Sequence, residues 1–180
     1  MARMFVALDL PDPVRAALAR LQTGIHAARW APPAQLHLTL RFIGDVAEEA
    51  LPALRSALTR TMIGAPFEAT LTGAGTFGRP PRVLYVGMAP AERLCALAEQ
   101  ADAAVAATGG PPPDKPFHPH VTVARLKNAS PAQVRAFLDA QAVLRFEPFK
   151  VTAVHLYRST LSSQGARHDV DTELQLVAPG

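Results

Sequence analysis

The chain has 180 residues, 49% of them hydrophobic and 18% charged, with one cysteine and a net charge of +3. These values exclude a disordered chain and a disulfide-stapled one, and they predict a single domain, or two small lobes sharing a core. No apolar run approaches the roughly 18 residues that a membrane span needs. The opening "MARMFVALDLPDP" is broken by charge and proline too early for a signal peptide. A cytoplasmic protein without a membrane partner is expected. Fifteen of the eighteen basic residues are arginine, which permits a phosphate-bearing partner without demanding one.

"MFVALDLP" (4–11) reads as a strand, and Asp12 and Pro13 as the cap and first residue of a helix carrying Val14, Leu18, Leu21 and Ile25. "APPAQ" breaks the chain. "LHLTLRFIG" (36–44) alternates as a strand, and Asp45 with Glu48 predicts a capping box for a helix to about Thr61. "FEATLTGAG" (67–75) and "RVLYVGMAP" (82–90) are strands. A helix over 91–107 follows, containing Cys95 as an expected small buried hydrophobe. "GGPPPDKP" is a loop and "FHPHVTVARL" (117–126) a strand. Ser130, Pro131 and Gln133 cap a short helix to about Ala140, "FEPFKVTAVHLYRS" (146–159) is a strand, and a turn around Gly165 leads into a last strand.

Both halves run strand, helix, strand, helix, strand, and each middle strand holds the same tetrad, "HLTL" at 37–40 and "HVTV" at 120–123. An internal duplication is expected within one domain, 1–180, with units at about 4–75 and 82–159 facing one another across a pseudo-twofold axis. Side chains alternate across a strand. His37 and Thr39 therefore share a polar face, as do His118, His120 and Thr122, with the aliphatic residues behind. Two imidazoles titrating near neutrality can be split into an acid and a base. Threonine hydroxyls can donate to phosphate oxygens. Such a pair suits in-line displacement at phosphorus with no metal, no cofactor and no covalent intermediate. The rate should follow a bell-shaped pH profile, with an optimum between roughly 6 and 8 for unperturbed histidines.

The paired motifs and their flanks, "RMFVALDLP", "QLHLTLRFIGDV", "PFHPHVTVAR" and "LYRSTLSSQGARHDV", resemble the two-histidine phosphoesterases. More narrowly they are similar to the RNA 2′,3′-cyclic phosphodiesterases, also called 2′–5′ RNA ligases. The resemblance implies a bilobal α+β fold, with two pseudo-twofold-related antiparallel sheets and outer helices lining a central cleft. It implies a monomer that opens the 2′,3′-cyclic phosphate of RNA ends or nucleotides to a 2′-phosphate. His37 falls on the proton donor, His120 on the proton acceptor, Thr39 and Thr122 on the phosphate contacts, and Arg125 on the phosphate-holding arginine. Strict alternation favours Arg41 over Arg125 for that role, unless the strand ends or bulges near Ala124. His118 is expected to orient its neighbour or the phosphate. His168 stands where many family members carry an aromatic, and reads as a surface or packing difference.

Two rival activities use the same residues: a ligase joining cyclic-phosphate ends to 5′-hydroxyls, and a non-catalytic RNA-end binder. Other motifs carry less. "GAGTFG" (73–78) matches a dinucleotide fingerprint, but "RPPRV" follows instead of a helix, so it reads as a turn. His118-Pro119-His120 lacks a neighbouring acid for a metal site. His26 reads as a surface residue, His155 as a packing residue, and Trp30 as a core or loop anchor rather than a base-stacking ring.

Overall fold

The computed structural model describes residues 1–142, 145–163 and 165–178. In chain order the elements are β1 (Ala2–Asp9), α1 (Asp12–Arg20), β2 (Ala28–Trp30), β3 (His37–Val46), α2 (Leu51–Thr61), β4 (Phe67–Phe77), β5 (Val83–Ala89), α3 (Ala91–Ala107), β6 (His120–Leu126), α4 (Pro131–Gln141), β7 (Phe149–Val151), β8 (Ala153–Ser162) and β9 (Gly165–Gln175). They form two antiparallel sheets, ordered β3-β1-β8-β9 and β2-β6-β5-β4-β7. Each sheet holds one histidine–threonine strand, β3 or β6, beside the strand that opens the same half, β1 or β5. The next strand comes from the other half of the chain: β8 lies beside β1, and β4 beside β5.

Burial explains this layering. On β1, Met4, Val6 and Leu8 enter the main core, while Phe5 and Ala7 on the opposite face form a small second cluster with Tyr157. On α3, Leu94, Leu97, Ala98, Ala101, Ala104 and Val105 are buried, at helical spacing that lays one face on the core. Cys95 falls off that stripe and is half-buried, not buried as expected.

Several boundaries differ from the sequence reading. The segment 146–159 is not one strand. β7 pairs with β4, β8 pairs with β1 and β9, and Thr152 marks the crossing between sheets. The predicted capping box at Asp45 and Glu48 does not form, because β3 runs on to Val46 and a short 3-10 turn at Glu48–Ala50 precedes α2. Glu48 instead makes a double contact with Arg158, at 2.7 and 3.0 Å. Pro11, not Asp12, occupies the cap of α1, which ends at Arg20, leaving the buried Ile25 outside it. Ser130 does cap α4, accepting from the Gln133 amide at 3.5 Å. β6 begins at His120 rather than 117, since Pro119 has no amide hydrogen to give the ladder. "GAGTFG" is mostly strand, with the turn starting at Gly78. The three-residue β2 had no alternation long enough to show in the sequence.

Candidate active site

β3 and β6 bring the two histidine–threonine stripes to one cavity of about 380 Å³, lined by His37, Thr39, His120, Thr122 and Arg125. Behind them Leu38 and Val121 are fully buried, so the aliphatic partners of each tetrad anchor the polar face in the core. Phe5, Arg3, Gln35, Phe42 and His168 complete the wall.

Two β-bulges decide which arginine joins the histidines. Tyr85 faces Thr122 but its neighbour Leu84 faces Ala124, so Val123 is an extra residue on β6. The extra residue flips the parity of the remainder of the strand. Val123 and Ala124 are both buried, and Arg125 returns to the cleft. β3 carries the matching irregularity: Ala7 faces Thr39, Val6 faces Arg41, and Leu40 is extra. There it is Phe42 that returns to the cleft, while Arg41 turns inward and is 6% exposed. Arg41 sits with Nε 3.1 Å from Asp102 Oδ1 and donates to the Pro111 carbonyl. Arg41 is therefore not the cleft arginine that strict alternation favoured. It lines an adjoining cavity, together with Phe117, Lys115 and the His118 ring.

Both histidines are held by their own backbone two residues upstream. His120 Nδ1 lies 2.6 Å from the His118 carbonyl. A carbonyl only accepts, so Nδ1 carries the hydrogen, and Nε2 of the neutral ring is left with its lone pair. His118 thus orients its neighbour through the main chain. His37 makes the equivalent bond to the Gln35 backbone. Each imidazole also packs on an aromatic pair. Phe5 stacks on His37 at 5.1 Å and on Tyr157 at 5.1 Å, while Phe77 stacks on Tyr85 at 4.3 Å and meets His120 edge-on at 5.0 Å. The sequence reading missed these four rings. Phe5 was the one detectable signal, an aromatic on the non-core face of β1.

Burial dominates the electrostatics. It pulls His37 down to about 4, with the nearby His168 adding to the effect and the Gln35 backbone bond and Asp9 opposing it. His120 is also lowered by burial, and the His118 carbonyl resists the shift. Burial therefore keeps His37 neutral at pH 7. The expected optimum between roughly 6 and 8 rested on unperturbed rings, which neither of these is.

His168 is not a surface difference. It lines the cleft, its ring 5.6 Å from His37 and nearly perpendicular to it at 89°. Its hairpin, β8–β9, is tied to the start of β3 by Gln35 Nε2, which donates to the Ala166 carbonyl at 2.6 Å. Trp30 packs on Phe137 at 5.9 Å as an anchor, and His26 is exposed. His155 is 9% exposed, with Nε2 3.1 Å from Glu173. Among the described residues, no group of three or more His, Cys, Asp or Glu gathers as a metal site, and no helix is long and apolar enough to cross a membrane.

Comparison with known proteins gives a consistent picture. The family model for the 2′-5′ RNA ligase superfamily matches residues 10–162. An RNA 2′,3′-cyclic phosphodiesterase of Thermus thermophilus is 45% identical over 143 residues, covering 72% of this chain and 71% of that one. One from Methanothermobacter thermautotrophicus is 31% identical over 91% of this chain and 92% of its own. Among solved structures, Escherichia coli LigT complexed with 3′-AMP superposes with a TM-score of 0.78 at 30% identity, over 97% of this chain and 98% of that one.

Proposed function

The chain belongs to the 2′-5′ RNA ligase superfamily, and from that premise we propose that it hydrolyses the terminal 2′,3′-cyclic phosphate of RNA to a 2′-phosphomonoester. The observation that carries the reading is the pair of histidine–threonine stripes facing one cavity with Arg125 on the same wall. The phosphate sits between the stripes, held by the Arg125 guanidinium and the hydroxyls of Thr39 and Thr122. His120 Nε2 takes a proton from a water molecule as its oxygen attacks phosphorus. The bond from phosphorus to O3′ breaks, and His37 gives its proton to that oxygen. One water is consumed, the ring opens, and the phosphate stays on O2′.

The acid role of His37 requires a proton that burial disfavours. The anionic phosphate restores the balance, because a negative charge beside an imidazole favours its protonated form. Substrate binding and protonation of the acid are thus coupled. RNA ends or nucleotides carrying a cyclic phosphate are the proposed partners. A monomeric state belongs to the same proposal, as does a cytoplasmic location suited to such substrates. Neither metal nor cofactor enters any step.

The test is product analysis on an RNA ending in a 2′,3′-cyclic phosphate. A 2′-phosphomonoester is the expected product. A 3′-phosphomonoester would overturn the assignment of the leaving oxygen. Joining to an added 5′-hydroxyl oligomer in preference to hydrolysis would assign ligation instead, and tight binding without turnover would leave an end-binding protein.

A further inference from the structure

Beside the histidine cleft lies a groove of about 340 Å³ lined by Arg29, Gln35, Thr122, Arg125 and the start of β9 at Gly165 and Ala166. In the β2–β6 ladder Arg29 pairs directly with Arg125, and Trp30 with Ala124. Residues directly opposite on adjacent strands share a face, and like charges so placed repel. Ala124 is buried and Trp30 packs on Phe137, so the arginines occupy the other face, the one that holds His120 and Thr122. Both arginines are exposed. Among the described residues neither forms an ion pair, and no carboxylate lines the groove. Two exposed cations side by side on adjacent strands, with no carboxylate in the groove, make a positive surface that attracts an anion.

Arg125 lines both the histidine cleft and this groove. An anion between Arg29 and Arg125 would therefore lie next to the reacting phosphate but outside the histidine pair. RNA carries such a second anion in the phosphodiester that joins its terminal nucleotide to the rest of the chain. We propose that Arg29 and Arg125 form a second phosphate subsite that holds this linkage. The site would then select an RNA end over a free mononucleotide. The inference rests on the proposed function for the identity of the first phosphate.

Binding separates it from turnover. A mononucleoside 2′-phosphate and a trinucleotide ending in a 2′-phosphate are titrated against wild type, Arg29→Gln and Arg29→Lys, at several salt concentrations. Wild type is expected to prefer the trinucleotide by about tenfold or more, the scale of a charge-assisted contact. Arg29→Gln should bring that ratio close to one and lower the salt slope for the trinucleotide by about 0.7, the value for one phosphate contact on a single strand. Arg29→Lys should retain the slope. No trinucleotide preference in wild type would overturn the subsite. So would an unchanged ratio in Arg29→Gln, or an equal loss for both ligands, which would assign Arg29 to the terminal phosphate. An enzyme that shows the preference but hydrolyses no cyclic phosphate would keep the subsite and refute the proposed reaction.

Discussion

His37 and His120 should each be worth a factor of about 10² to 10⁴ in turnover when replaced by alanine, the range for losing a general acid or base. Both variants should still bind the 2′-phosphate product within about an order of magnitude of wild type, because Arg125 and the threonines remain. The pH dependence is sharper. In the free protein burial lowers both imidazoles, His37 to about 4, and bound phosphate raises both again. The bell in kcat/KM, which reports the free enzyme, should therefore lie on the acid side of the bell in kcat, which reports the complex. Superimposable profiles, with chemistry rate-limiting, would show that the phosphate does not reach the imidazoles. The two arginines should separate by type of damage. Arg125→Ala should raise KM with little loss of stability. Arg41→Ala should cost about 2 kcal/mol in denaturant unfolding, for the loss of its charged donor to the Pro111 carbonyl, and should change substrate affinity less.

At the level of elements, the alternation in "HLTL" and "HVTV" was sufficient to place His37 beside Thr39 on the polar face of one strand and His120 beside Thr122 on that of another, because a strand has period two. It was not sufficient for Arg41 and Arg125. A single bulge residue, Val123 or Leu40, reverses the side chains that follow it (on β3 until a second irregularity at Ile43), and a bulge is created by the partner strand's register rather than by local composition. His168 packs on Phe5 and His37, the packing side of the expectation, but its place in the cleft wall was not legible for a related reason. Its position depends on how β8–β9 folds over β1, which no local pattern reports. The hairpin is fixed from outside by Arg55 of α2, whose guanidinium grips both oxygens of Asp171 on β9 at 2.7 Å. The Asp171 side chain is only 7% exposed, so Asp171→Asn should lower stability by about 1.5–3 kcal/mol. The Arg55 bond holds the Asp171 carboxyl below its usual range, so its contribution is present above the unfolded carboxylate value of about 3.9 and fades as pH falls below it. Thermal midpoints of wild type and variant should differ at pH 7 and draw together as pH falls below the unfolded carboxylate value. A constant gap across that range would mean that the lost contribution was packing rather than charge.

Across the whole molecule, the repeated order of elements pointed to two related sheets. We propose, as the sequence suggested, one domain with duplicated units at about 4–75 and 82–159. The matched bulges on β3 and β6 support this, as do the aromatic pairs beneath each histidine. What the repeat did not disclose is that the units exchange their third strands. The sheet containing β1 and β3 is completed by β8, and the sheet containing β5 and β6 by β2 and β4. Neither half of the chain therefore contains a finished sheet, and each half carries one of the two histidine–threonine stripes. Cutting the backbone in the turn at 78–82 would give two interlocking pieces, each the missing template of the other. Separately they should show no cooperative unfolding transition and no turnover. Mixed, they should reassemble, and hydrolysis of a cyclic phosphate would report the event directly, since the proposed acid, His37, arrives on one piece and the proposed base, His120, on the other.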